Sequence, residues 1–318
     1  MPRTLRFGIQ GGPIDTPYAE LRDYWREAEH LGYDWASIGD HLMPNPIFGA
    51  KGTDPWHEAW TTIAALAEAT STIHIGTAVG FRHPAILAKM AATLDVISGG
   101  RLEVGLGAGY LESEYRMYGL PFPGVRLAEL NEAIQICKPL TQEHTDFNGK
   151  YFTLTNAVCS PKPAQRPHPP IWLGGGGEQK TLRMVAEHAD GWSAFPLPIP
   201  QLQHKLDVLR AHCADVGRDY DTIAKQIGLN LIIRNDEATL EAELARFAAE
   251  RQAPPERARQ MVSGFYTPRQ VAAQITPYLN LGFDLFVLMG RTPADYDTLR
   301  LFIQEVAPIL RTAQTRAA

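Results

Sequence analysis

The segment from Ile73 to Tyr115, IHIGTAVGFRHPAILAKMAATLDVISGGRLEVGLGAGYLESEY, constrains the chain most, because its punctuation gives strand, helix, strand, glycine turn, helix. Pro84 suits a first helical turn, and Ile86, Leu87, Met90, Ala91, Leu94 and Ile97 recur at helical spacing as one apolar face, with Gly99 and Gly100 as the stop. In the following strand Leu102, Val104 and Leu106 alternate with Glu103, Gly105 and Gly107, as in a barrel strand whose outer face meets helices, so Glu103 is expected to point inward. Parallel α/β folds bind ligands outside the carboxyl ends of their strands. Candidate chemistry therefore falls at Thr77 to Arg82 and Gly107 to Tyr110.

The same unit recurs along the chain. Leu5 to Ile9 reads as a strand, a helix runs from Thr16-Pro17 to Leu31 and stops at Gly32, and Tyr33 to Gly39 is a second strand delivering Asp40 and His41. The loop from Leu42 to Trp56 is long enough for a lid. After a helix from about Pro55 to Ala69, the opening segment supplies strands three and four. A helix from Val125 to Leu140 and a hairpin around Asn148-Gly149, where Asn-Gly suits a type I′ turn, precede the fifth strand, Ile171 to Leu173. Gly191 to Ser193, Gln226 to Ile233 and Phe283 to Met289 complete the count, each followed by a helix. Eight strands and eight helices in alternation predict a (β/α)8 TIM barrel with insertions at its C-terminal face, formed by residues 1–318 as one domain.

A chain of 318 residues with 45% hydrophobic and 20% charged side chains suits such a barrel, and a formal charge of -5 disfavours nucleic acid as the main partner. No apolar run reaches transmembrane length and MPRTLRFGIQGG lacks a signal-peptide core, so no membrane partner and a cytoplasmic location are expected. Cys137, Cys159 and Cys213 are odd in number and far apart, which suggests neither disulfides nor a zinc site.

Two places carry chemistry. Gly174, Gly175, Gly176 and Gly177 follow the fifth strand and are read as opening a helix, where bare backbone N–H groups and the helix dipole suit a phosphate, with Lys180 and Arg183 near enough to add charge; a tight packing turn is the competing reading. No GKS or GKT follows, and the GxGxxG spacing is absent. At the end of the second strand, Asp40 suits a cofactor hydrogen bond and His41 a proton transfer, although His41 could instead order the following loop. Tyr110 could stack on or bond a ligand, whereas His83 is expected to shape a helix entrance and Glu103 to be a structural ion-pair partner.

With these residues in view, GDH at the second strand's end, GTAVGFRHPAILAKMAATLDVISGGRLEVGLGAGY and IWLGGGGEQKTLRMVAEHADGW resemble the bacterial luciferase-like flavin-dependent family, and within it the coenzyme F420-dependent oxidoreductases. The hairpin with FNGKYF and the late YTPRQVAAQ and FDLFVLM segments fit the same order. The resemblance implies a flavin-type ring at the carboxyl ends of the strands, contacted by Asp40, supported from Thr77 by a non-proline cis bulge at Ala78-Val79, and edged by Ala108 and Gly109, with Gly175 to Gly177 at the phosphate. Relatives that oxidise sugar phosphates carry Trp and Glu where this chain has Asn45 and Tyr110, which disfavours that substrate and removes the acid on which His41 as base would depend. The implied activity is hydride transfer between coenzyme F420 and a small organic substrate, with His41 or Tyr110 handling the proton and the 42–56 and 251–266 segments closing over it. An FMN-dependent monooxygenase served by a separate flavin reductase, a binding protein without turnover, and a cofactor-free phosphate-binding barrel are the competitors. A homodimer is the implied assembly.

Overall fold

The computed structural model describes residues 3–11, 16–44, 55–78, 82–122, 124–138, 143–250, 252–262, 264–290 and 294–317. Eight parallel strands close into a barrel: β1 Arg6–Gln10, β2 Trp35–Gly39, β3 His74–Ala78, β4 Leu102–Leu106, β5 Ile171–Gly174, β6 Gly191–Ala194, β7 Ala224–Leu229 and β8 Leu285–Met289. Each pairs with its neighbour in this order, and β8 returns to β1 with Arg6 opposite Leu285. The main apolar core lies between the outer faces of these strands and the surrounding helices.

Local chemistry explains most boundaries. The helix Tyr18–Leu31 ends at Gly32, whose φ of 90° is left-handed. In Pro84–Ile97 the proline sits in the first turn, and the His83 imidazole accepts from the Ala85 N–H as N-cap. The buried side of this helix is Leu87, Ala88, Ala91, Ala92, Leu94 and Asp95, while Ile86 and Ile97 are exposed, so the expected face is rotated. The helix is apolar nearly all round, and periodicity alone does not choose its inner side.

Two further boundaries differ from the sequence reading. Gln226 to Ile233 is two strands: β7 stops at Leu229, and Leu231–Ile233 turns aside to pair with Gly264–Tyr266 over a small core of its own around Phe247 and Phe265. The Asn-Gly hairpin joins Thr145–Asn148 to Thr153–Ala157, but through four residues rather than a two-residue type I′ turn. The Gly149 N–H donates across the turn to the Phe152 carbonyl at 2.9 Å, and Glu132 braces the loop by accepting from the N–H groups of Lys150, Tyr151 and Phe152.

The barrel interior has an uneven filling. Strand registers stack its inward residues in layers of four from alternate strands. Low in the barrel, Trp35 and Trp172 fill space that a Cβ on Gly8, Gly76 or Gly191 would invade, and they pack with Leu285 and Val287. Above them come a layer of Ser37, Gly105, Ser193 and Val287 and then one that includes Gln10, Gly174 and Gly228.

Candidate active site

At the carboxyl end of β2 the chain places Asp40 and His41, and both are buried. Asp40 Oδ2 accepts from Trp60 Nε1 at 3.1 Å and from the Arg82 guanidinium, which also pairs with Glu58, the N-cap of the helix Ala59–Ala69. Asp40 Oδ1 is buried with no partner among the described residues. Burial pushes the Asp40 carboxyl up from 3.8 to about 6, against the opposing pull of Arg82.

His41 has the acidic partner that the sequence reading denied it. Its Nδ1 lies 3.0 Å from Glu114 Oε2, and Glu114, on the short helix Glu112–Met117, is fully buried. The Glu114 carboxylate is further held by the backbone N–H groups of Leu42 and Met43. With Nδ1–H directed at a carboxylate, Nε2 is the nitrogen left to accept a proton. The Tyr110 hydroxyl stands 3.4 Å from that Nε2, and Trp56 Nε1 donates to the His41 carbonyl at 2.7 Å. Acid, imidazole and phenol thus form one line ending at the half-exposed Tyr110.

The other expected positions gather around this line. Thr77 closes on β4 with its hydroxyl 3.5 Å from the Gly105 carbonyl. Ala78 ends β3 opposite Gly39, and Val79 lies outside the described residues, as do the Ala78-Val79 bulge and Asn45. The Ala108 carbonyl accepts from the Tyr115 hydroxyl at 3.4 Å. Gly109 has φ 69°, and a Cβ there would strike that same hydroxyl, so the residue after Ala108 has to be glycine.

The glycine run does not open a helix directly. The helix begins at Thr181, because Glu178 to Lys180 form an intervening turn in which Leu182 donates to the Gly177 carbonyl. Gly174 and Gly177 are exposed, and Gly175 has φ 116°. Arg183 is turned away from the run into pairs with Glu187 and Asp215, which corrects its expected contact with a phosphate. A cation that does reach the run is Lys205, from the helix Ile199–Asp215: its ammonium donates to the Gly176 carbonyl at 2.7 Å and pairs with Glu178 at 3.1 Å.

Glu103 behaves as the sequence predicts. It points into the lower barrel, bonded by Arg6 at 2.6 Å and Trp172 Nε1 at 2.7 Å, with the His74 ring 3.0 Å away. Among the described residues no cluster of histidine, cysteine or carboxylate side chains suits a metal ion, and no helix is long and apolar enough to cross a membrane.

Comparison with known proteins places this geometry. The model of the luciferase-like monooxygenase family matches residues 4–285. The chain belongs to this family. Within it, an uncharacterized protein of Mycobacterium tuberculosis is 32% identical over 227 residues, covering 70% of this chain and 73% of its own. The F420-dependent glucose-6-phosphate dehydrogenase of Amycolatopsis mediterranei is 27% identical across 96% of this chain and 99% of its own length. The FMNH2-dependent dimethylsulfone monooxygenase of Pseudomonas putida is 30% identical across 79% and 66%. Among solved structures, an F420-dependent secondary alcohol dehydrogenase superposes with a TM-score of 0.81 at 20% identity over 97% of this chain and 99% of that one. This luciferase-like barrel thus has the fold that its sequence pattern predicts, and the relatives use two different ring cofactors.

Sequence reading missed three residues of the site. Glu114 sits one helical turn beyond the place where an acid was sought, Arg82 was within the expected region without a role, and Lys205 lies on a distant helix. The Glu-Ser-Glu sequence directly after the glycine turn was the available signal for the first.

Proposed function

We propose that the protein is a coenzyme F420-dependent oxidoreductase that moves a hydride between the deazaflavin and a small organic substrate. The observation that carries the reading is the buried Asp40 Oδ1, an acceptor without a donor, beside the His41–Glu114 pair. A buried carboxylate oxygen is costly to leave unsatisfied, and a ring N–H of a flavin-type cofactor is the donor chemistry it fits. The end of β3 at Thr77 and Ala78 would lie beneath the ring and Ala108 and Gly109 along its edge. Gly174 to Gly177, with Lys205, would hold the phosphate through backbone N–H groups and one neutralised cation.

When bound, the deazaflavin supplies the two-electron acceptor or donor. The chain supplies the proton path. In oxidation of an alcohol to a carbonyl, His41 Nε2 would take the hydroxyl proton, directly or through Tyr110, while the bound cofactor would supply the two-electron acceptor. Glu114 holds the imidazole in the receptive tautomer and balances the charge it gains. Reduction runs the same transfers backward.

The 30% identity to an FMNH2-dependent enzyme supports a second reading, a monooxygenase supplied with reduced FMN by a separate reductase. Fluorescence titration separates the two. Saturable binding of coenzyme F420 with weaker binding of FMN supports the proposal, and tight FMN binding without affinity for the deazaflavin overturns it. Binding of coenzyme F420 without turnover of any donor or acceptor would make the protein a carrier.

A further inference from the structure

The turn after the glycine run carries a carboxylate where an anion site calls for cations. Glu178 follows Gly177 directly, and its two oxygens face successive residues of the helix Ile199–Asp215: Oε1 lies 3.1 Å from the Lys205 ammonium and Oε2 lies 3.4 Å from His204 Nε2. Lys205 lies over the run, since a Cβ on Gly176 would stand 3.4 Å from its Cε, and it donates to the Gly176 carbonyl at 2.7 Å. An ammonium has three donors. Two of them are spent inside the protein, one on Glu178.

The path of the turn is anchored through main-chain carbonyls and not through the Glu178 side chain. Trp192 Nε1 donates to the Gly175 carbonyl at 2.7 Å, the Leu182 N–H to the Gly177 carbonyl at 2.9 Å, and His212 Nε2 to the Glu178 carbonyl at 2.8 Å. The opposite groups are left over. Among the described residues, the N–H groups of residues 176–180 donate to no main-chain carbonyl. Free N–H groups beside an ammonium suit an anion, and the Glu178 carboxylate, 42% exposed, is an anion of the protein's own with room to swing into solvent.

We infer that Glu178 is an internal competitor at this site: its carboxylate and the phosphate of a ligand contend for the same ammonium, so that the ligand is held as an exchangeable partner and not as a fixed one. That the natural ligand carries a phosphate rests on the cofactor reading above; the competition for Lys205 does not. An exposed ion pair is weak, so phosphate can part Glu178 from Lys205. The displaced carboxylate stays tethered one residue from the run, inside the screening length of about 10 Å, and its repulsion lowers the affinity further. Only the fraction of molecules with Lys205 released binds at full strength.

The test is calorimetric titration of inorganic phosphate into the cofactor-free protein at fixed pH and ionic strength, for wild type, Glu178→Gln, Lys205→Ala and the double variant. Glu178→Gln is expected to tighten phosphate binding about three- to fivefold, the range that an exposed ion pair withholds. Glu178→Ala, which cannot rebuild the contact through an amide, is expected to do the same. Lys205→Ala should weaken phosphate binding about twofold when Glu178 is present and about tenfold in the Glu178→Gln background, where the ammonium is free. Unchanged or weaker binding in both Glu178 variants makes the side chain a structural part of the turn and overturns the inference; so does an equal Lys205→Ala effect in the two backgrounds, or no phosphate binding in any of the proteins. Because the probe is inorganic phosphate, the result is independent of whether the protein binds coenzyme F420.

Discussion

At the amino-terminal end of the barrel, Glu103 is buried with Arg6, Trp172 and His74 all directed at it; at the carboxyl end, Asp40 is buried as deeply with one oxygen shared by Trp60 and Arg82 and the other bonded to nothing described. The two carboxyls titrate in opposite directions. Burial alone would raise Glu103, but the His74 ring and the Arg6 guanidinium pull it from 4.5 down to about 2, whereas burial of Asp40 overcomes Arg82 and lifts it to about 6. A satisfied buried acid stabilises its own ionised state, and a half-satisfied one is held ready for a donor from outside. On the proposed function, the lower end serves stability and the upper end binding.

The largest expected effect comes from breaking the satisfied end. Glu103→Ala leaves Arg6 and the Trp172 N–H without their acceptor inside the barrel, and should cost about 3–5 kcal/mol in urea unfolding while folded molecules keep their ligand affinity. The wild-type contribution of Glu103, a depressed group, is present above pH 4.5 and is lost as pH falls toward about 2. At the upper end, Glu114→Gln should lower kcat roughly 10- to 100-fold with little change in KM and a displaced pH profile, because it removes the charge behind His41 but not its packing. A change in KM alone would make Glu114 a purely structural residue.

Smaller effects follow from Asp40. Its raised pKa favours the protonated folded state, so its contribution to stability is fully present below 3.8 and lost as pH rises through about 6. A ring N–H needs the ionised form. Affinity for the cofactor should therefore decline as pH drops below about 6, approaching tenfold per pH unit for one proton. Smallest of all, Lys205→Ala should weaken binding of coenzyme F420 about two- to threefold and flatten its salt dependence, since Glu178 already neutralises much of the ammonium.

The sequence made the lower end legible and the upper end only in part. Alternation in β4 points Glu103 inward, and a single inward carboxylate at a strand's start has to be paired. Asp40 and His41 follow from their place at the end of β2. What alternation and helical spacing do not report is the meeting of distant segments: Lys205 reaches the glycine run from a helix whose buried face is Leu202, Leu206 and Leu209. Glu114 was hidden by its setting, because Glu112 and Glu114 share the first turn of a six-residue helix and only the docking of that helix buries one of them.

The central claim, that Asp40 Oδ1 waits for a cofactor N–H, has a direct test in Asp40→Asn. With Trp60 and Arg82 both donating at the Oδ2 position, the asparagine oxygen must stay there, and its NH2 takes the place of Oδ1 and faces the ring with the wrong polarity. Titration of coenzyme F420 into wild-type and Asp40→Asn protein near neutral pH, beside urea unfolding of both, is predicted to show at least a tenfold loss of affinity with no loss of stability. Equal affinity in the two proteins would contradict the account.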